Sequence, residues 1–543
     1  MSESQFHNST HSKPARSADD VTRREFLATS GKISAGISSA FVAAPILGAL
    51  ASEIKAEAIP VQGVKVHDIV MLDALALSAA IKAKRVSCRE VMTAYLDHIE
   101  RINPKVNAIV SLQDRGSLLA QAAERDAQLA RGEYLGWMHG FPHAVKDLVP
   151  TKGIRTSFGS PLADTVPEHD AILVERIKKA GAIIVGKTNV PEFGLGSQSY
   201  NPVFGTTRNA YSQSKAAGGS SGGAAVSLAL RMVPVADGSD LMGSLRNPAA
   251  FNNVIGFRPS FGRVPSGPGE SFNDVLAVAG PMGRSARDVA MLLSVMAGPD
   301  DRAAFSIEQD PRMFAGSLDR GFHGTRLGWL GDFGGHLQME PGVLELCQHS
   351  FKAFESIGCK VEAAQPEFSA DRLWQTWLTL RHWLVAGGLG DLYDDPAKRV
   401  KLKPEAQWEV EGGFKLSGVD VSRAHASRSE WYEAVRKLFT RFDYLLIPSA
   451  QVFPFDAEVH WPKSINGVAM DTYHRWMEVV VPGTLSGCPI VNVPVGFNAA
   501  GLPMGMQIIG RNHADFAVLQ LAHAYEQTTH WVRDHLPPLL KHG

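Results

Sequence analysis

Apolar and polar positions along this chain follow two periods, and the points where one gives way to the other predict its elements. Residues 90–102 carry Val91, Tyr95, Leu96 and Ile99 near the helical period, and 66–103 reads as two helices, the first opened by Leu72-Asp73-Ala74-Leu75. Residues 118–129 predict a third helix, rich in alanine. Downstream the pattern breaks into short apolar runs. One, within 140–148, reads as a strand ending at Lys146, and another, 182–186, reads as a buried strand, with a helix over 171–180 between them. Pro191-Glu192-Phe193 begins a short helix, since proline suits a first helical turn. Strands are predicted at 254–257, 326–330, 360–363, 443–448, 490–494 and 504–509, and helices at 285–297 (capped by Ser285), 343–357 and 516–526. This alternation predicts an α/β core. With no internal repeat, low-complexity tract or linker, residues 65–540 read as one large domain.

Two glycine-rich turns interrupt the alternation and organise the chain. They are Ala217-Gly218-Gly219-Ser220-Ser221-Gly222-Gly223 and Asp240-Leu241-Met242-Gly243-Ser244-Leu245-Arg246-Asn247-Pro248. Glycine lets a ligand approach main-chain N–H groups, and a serine hydroxyl beside such groups supplies what acyl transfer requires, a nucleophile and donors for the oxyanion. A flexible Gly/Ser linker is the bland alternative, but residues 224–235 are too apolar to stay solvated. Residues 372–474 have a different texture, gathering Trp374, Trp377, Trp383, Trp408 and Trp431 with His382 and Tyr432. Two readings stand: a helical insertion packed on the core, or the wall of an aromatic-tolerant pocket on the substrate side.

Composition narrows the function classes. At 543 residues the chain is long enough for a large core, and a net charge of −1 gives no basis for a nucleic-acid partner. Cys88, Cys347, Cys359 and Cys488 are too scattered for a zinc site or a dense disulfide framework, so buried thiols are expected. No H-E-x-x-H motif or acidic–histidine cluster suggests a metal. The first 58 residues read as a targeting segment. Thr22-Arg23-Arg24-Glu25-Phe26-Leu27 precedes a mildly apolar run, 33–50, and two A-x-A sites, and together these resemble a twin-arginine export signal. That resemblance implies the twin-arginine machinery as a partner and a periplasmic or secreted location.

Three placements of the chemistry compete. Gly219-Ser220-Ser221-Gly222-Gly223 fits the G-x-S-x-G nucleophile elbow with Ser221 attacking, but the elbow needs an apolar strand before it, and residues 209–218 are polar and turn-like. Ser212-Gln213-Ser214-Lys215 fits S-x-x-K, yet no Lys-Thr-Gly follows. The third placement joins Lys146, a serine of the first glycine-rich turn, and Ser244.

Here the sequence resembles the amidase signature family. The matching motifs run in order: Gly140-Phe141-Pro142 to Lys146-Asp147; Gly186-Lys187-Thr188-Asn189 to Pro191-Glu192-Phe193; Asn201-Pro202 to Asn209; Gly218 to Gly223; Gly243-Ser244 to Pro248; and Gly487 with Pro489 through Gln507-Ile508-Ile509-Gly510. The resemblance extends from Leu72 to the C-terminus. It implies a central mixed β-sheet covered by helices on both faces, and no metal or organic cofactor. It implies Ser244 as the acyl-forming nucleophile, Ser220 after a cis peptide bond as the proton relay, and Lys146 as the base. The N–H groups of Leu241, Met242, Gly243 and Ser244 would form the oxyanion hole, with Asp240 and Arg246 paired behind them. His143, Ser221 and Met242 are candidate substrate contacts. The family pattern has a glycine where Met242 stands, so its side chain is expected to narrow or line the acyl side of the pocket. The implied activity is hydrolysis of a small-molecule amide through an acyl-serine. An esterase using the same site and an inactive periplasmic binding protein are the alternatives. A homodimer is an arrangement the family allows. A lysine serves as base only when neutral, so activity is expected to rise with pH.

Overall fold

The computed structural model describes residues 66–267 and 272–541; the export-signal segment, 1–58, lies outside the described residues. The body is built on two sheets. In the first, β1 (Ile109–Val110), β3 (Ile183–Thr188) and β2 (Pro142–Lys146) lie in the order β1-β3-β2, with β2 and β3 parallel. The helix Ile172–Lys179 lies between these two parallel strands in the chain, as the alternation predicted.

The second sheet has eight strands in the order β4-β6-β5-β12-β13-β9-β7-β8. Its members are β4 (Ala236–Asp240), β5 (Ile255–Arg258), β6 (Val278–Gly283), β7 (Arg326–Trp329), β8 (Lys360–Ala363), β9 (Tyr444–Pro448), β12 (Ile490–Phe497) and β13 (Pro503–Ile509). A separate two-stranded ribbon pairs β10 (Ser464–Ile465) with β11 (Val468–Ala469). The sheet is mixed: β9, β7 and β8 run parallel, whereas the pairings from β4 to β9 are antiparallel. A tight turn accounts for the central hairpin, where the Asn498 side chain accepts the N–H groups of Ala500 and Leu502 between β12 and β13. Every residue of β13 is buried, and successive residues face opposite sides, so both faces of the sheet are covered.

Local departures from the expected elements have plain causes. The helix expected over 343–357 is two helices, Val343–His349 and Phe351–Ser356, broken at Ser350, whose hydroxyl donates to the Cys347 carbonyl at 2.6 Å. The helix expected at 285–297 is Ala286–Met296, and Ser285 does cap it by accepting the Asp288 N–H at 3.0 Å. The tryptophan-rich region forms the long helices Ala370–Asp394, Pro404–Phe414 and Gly418–Leu438. Trp374, Trp377 and Trp431 are fully buried in packing, and the Trp431 indole donates to the Pro482 carbonyl at 3.0 Å. All four cysteines are buried free thiols.

Candidate active site

Three segments converge at the edges of the two sheets. β2 delivers Lys146, β4 ends at Asp240 and opens into the turn carrying Ser244, and the first glycine-rich turn leads into the helix Gly222–Ala229. Close backbone contact makes this possible. A side chain at Gly256 on β5 would collide with the Leu245 carbonyl, and one at Gly223 would collide with the backbone of Asn189 and Ala108.

The Lys146 side chain is fully buried, and its Nζ donates to Ser220 Oγ at 2.8 Å, to Ser221 Oγ at 2.8 Å and to Ser239 Oγ at 3.0 Å. The peptide bond between Gly219 and Ser220 is cis. Burial brings the lysine down to about 7, while the Asp237 and Asp240 carboxylates pull the other way. A lysine lowered this far gives up its proton far more readily than a solvated one, and a neutral amine can accept a proton from a neighbouring hydroxyl.

Ser220 and Ser244 both line one cavity of about 300 Å³, with Leu241 and Met242 beside them. Asp240 is buried beneath the turn. It accepts from Arg246 Nε at 3.0 Å and Nη2 at 2.9 Å, and Arg258 reaches the same carboxylate at 3.2 Å. Burial alone would raise this carboxyl, but the two guanidinium groups hold it well below the usual carboxylate range. Arg246 extends the frame to the Val480 carbonyl, Gln507 and Thr484, tying the turn to β13 and to the helix Val481–Ser486.

Four expectations change here. The Gly243 N–H donates to Asp240 Oδ1 at 2.8 Å and the Leu245 N–H to Oδ2 at 3.1 Å, so Gly243 shapes the turn rather than facing the cavity as a donor. Among the described residues, the N–H groups of Leu241, Met242 and Ser244 have no acceptor within the protein. His143 is not a cavity residue: it is completely buried, and its Nε2 lies 2.9 Å from Asp237 Oδ1. Ser221 also faces Lys146 rather than the cavity. The tryptophans are not the wall. From that region Arg381, Leu384, Val385, Gly388, Leu389, Tyr473 and His474 line the cavity instead.

Arg381 was not visible as a site residue in the sequence. Its Nε donates to the buried Glu409 at 2.9 Å and its Nη2 to the Tyr473 hydroxyl at 2.9 Å, while Tyr473 donates to Glu409 at 2.6 Å. Against burial, Arg381 holds Glu409 down at about 2, so the cluster carries a compensated charge. Desolvation pushes His474, stacked on Tyr473, down to about 3, which keeps it neutral. Asp237, Ser239 and Arg258 were missed as well, although an aspartate inside an apolar strand is itself a signal, because charged residues are seldom buried unpaired.

Comparison with known proteins identifies the family. The Amidase family model matches residues 90–519, and the chain belongs to that family. It is similar to an acylamidase of Rhodococcus erythropolis, 32% identical over 475 residues, covering 85% of this chain and 96% of the relative. It is also similar to a glutamyl-tRNA(Gln) amidotransferase subunit from Nitrosococcus oceani, 32% identical over 494 residues, covering 85% and 98%. Among solved structures, a bacterial aryl acylamidase of the amidase signature family superposes with a TM-score of 0.78 at 27% identity, covering 85% of this chain and 97% of that one. The protein is thus an amidase-family hydrolase acting on C–N amide bonds.

Proposed function

We propose that the protein hydrolyses uncharged, largely apolar carboxylic amides through an acyl-serine intermediate. Ser244 attacks the amide carbon, Ser220 passes the Ser244 proton to neutral Lys146, and the protonated lysine returns it through Ser220 to the leaving nitrogen. Water then repeats the sequence on the acyl ester and releases the acid. The N–H groups of Leu241, Met242 and Ser244 receive the developing oxyanion. One observation carries the reading: a fully buried lysine 2.8 Å from the Ser220 hydroxyl, beneath a cavity that Ser220 and Ser244 share.

The substrate class follows from the lining. Leu148, Phe193, Leu195, Leu384, Val385 and Met477 dominate the cavity, the charge of Arg381 is taken up by Glu409, and the Asp274 carboxylate in the lining accepts the Ala277 N–H at 3.1 Å. An apolar acyl or aryl group suits such walls, whereas free glutamine would bring two charges into a mostly apolar lining. The similarity to acylamidases supports this choice. The paired arginines at 23 and 24 support export by the twin-arginine route to the periplasm.

Fluorophosphonate labelling of the purified protein, mapped by peptide mass spectrometry, tests the mechanism. The expected adduct is on Ser244 and is lost in Lys146→Ala. An adduct on Ser221 would return the chemistry to the elbow arrangement, and no adduct on folded protein would defeat the acyl-serine reading.

A further inference from the structure

Against Lys146, outside the cavity lining, lies a second buried arrangement that the proposed catalytic sequence does not use. β2 is the edge strand of its sheet, so one row of its main-chain groups has no strand partner. Asp237, on β4, takes one of them: its Oδ2 accepts the Lys146 main-chain N–H at 3.1 Å. Its Oδ1 lies 2.9 Å from His143 Nε2, three residues earlier on β2, and His143, Lys146 and Asp237 are all fully buried. Facing a carboxylate, Nε2 is the donor, and His143 Nδ1 has no partner among the described residues.

We propose that His143 and Asp237 form a positioning pair for Lys146, fixing the end of β2 and setting the charge against which the amine gives up its proton. This rests on the reading of Lys146 as the base. The surrounding charges single out Asp237. From β4 both Asp237 and Asp240 act on the amine, but Asp240 is already held by Arg246 and by Arg258 of β5. Asp237 has His143 and the Lys146 main-chain N–H, and among the described residues no guanidinium or ammonium group is bonded to it. Lys187 on β3 also feels the Asp237 charge, but its hydrogen bonds go to Val149, Thr151 and Thr156. Asp147, next along the chain, accepts from Ser157. The helix Gly222–Ala229 carries no titratable side chain, and the helix Cys88–Ile102 brings only Cys88, Tyr95 and His98 as buried titratable groups.

The test is the pH dependence of Ser244 labelling by a fluorophosphonate, a readout that packing alone does not move. Asp237→Asn keeps an acceptor for the Lys146 N–H and removes the charge, so the midpoint falls by about one pH unit. His143→Leu strips the carboxylate of its donor and moves the midpoint upward, while His143→Gln, which retains a donor, leaves it in place. A folded Asp237→Asn protein with an unmoved midpoint overturns the proposal. If that variant does not fold, the two His143 variants decide, and equal midpoints for Leu and Gln overturn it. Labelling of Lys146→Ala at the wild-type rate refutes the base itself, and the pair's role with it, and so separates the two failures.

Discussion

Two lysines lie on neighbouring strands in this protein, and the proposed mechanism gives them different work. Lys146 ends β2, and Lys187 lies on the paired strand β3, in register with Val145. Both are fully buried, and burial lowers both, Lys146 to about 7 and Lys187 to about 8. The difference lies in their partners. Lys187 donates to the Val149 carbonyl at 2.5 Å and to the hydroxyls of Thr151 and Thr156, none of which lines the Ser244 cavity. Lys146 donates to three serine hydroxyls and, at 3.2 Å, to the Ser239 carbonyl, and of these serines Ser220 and Ser239 line the cavity. Both amines thus meet a carbonyl and hydroxyls, and what separates them is that only around Lys146 do hydroxyl-bearing residues reach the cavity. A hydroxyl both accepts and donates, so it passes a proton on. Depressed basicity is therefore not the mark of a base in this fold; a route from the amine to the cavity is.

The largest expected effect breaks the comparison directly. Lys146→Ala removes the proposed base and is expected to slow amide hydrolysis and Ser244 labelling by roughly 10²–10⁴-fold. Lys187→Met removes three hydrogen bonds and is expected to lower stability by about 1–3 kcal/mol while Ser244 remains reactive. Thermal denaturation and labelling rates, measured on both variants, check this. Equal losses of activity would erase the distinction between the two lysines.

A finer contrast separates the two serines at equal distance from the Lys146 amine. Only Ser220 reaches the cavity, so Ser220→Ala is expected to cost far more labelling rate than Ser221→Ala. The reverse order would move the relay to Ser221.

The pH profile sharpens the same point. Because burial lowers Lys146 to about 7, its neutral form is the minority below that pH and the majority above it, so labelling should rise through about pH 7 and level off on the alkaline side. Lys187→Met should leave that midpoint where it is. A rate that falls as pH rises would rule out a lysine base.

The parts of this site legible in the sequence are those built from local order. Glycine-rich turns, the lysine at the end of an apolar run and the Asp240–Arg246 pair lie close along the chain, and their spacing exposes them. His143 was visible but misplaced, because a strand residue's side depends on its neighbours, and Asp237 lies 94 positions further on. Gly243 was misassigned for a related reason: spacing identifies a turn but does not say which of its N–H groups Asp240 takes. The tryptophans announced a packed helical region, yet the wall comes from the residues between them. Arg381 and Glu409 meet across two helices, and Tyr473 joins them from a third segment, so no window of sequence contains the cluster.

Met242 yields the smallest expected effect and the most local one. It stands where the family pattern has glycine, lines the cavity and is 8% exposed, while its N–H, a proposed oxyanion donor, has no acceptor among the described residues. Met242→Gly keeps that donor and removes a side chain from the wall, so the base and relay stay intact and only the room for the acyl group changes. Each methylene accommodated in an apolar pocket is worth about 1–3 kcal/mol in kcat/KM. Across a series of p-nitroanilides of increasing acyl length, the variant should gain on the longer members relative to the acetyl compound, with the labelling midpoint unmoved. An unchanged chain-length preference would place the acyl group elsewhere in the cavity, toward Arg381 and Leu389. A moved midpoint would mean that the wall and the lysine are not independent, and the contrast between the two lysines would then have to include the shape of the cavity as well as its connection to Lys146.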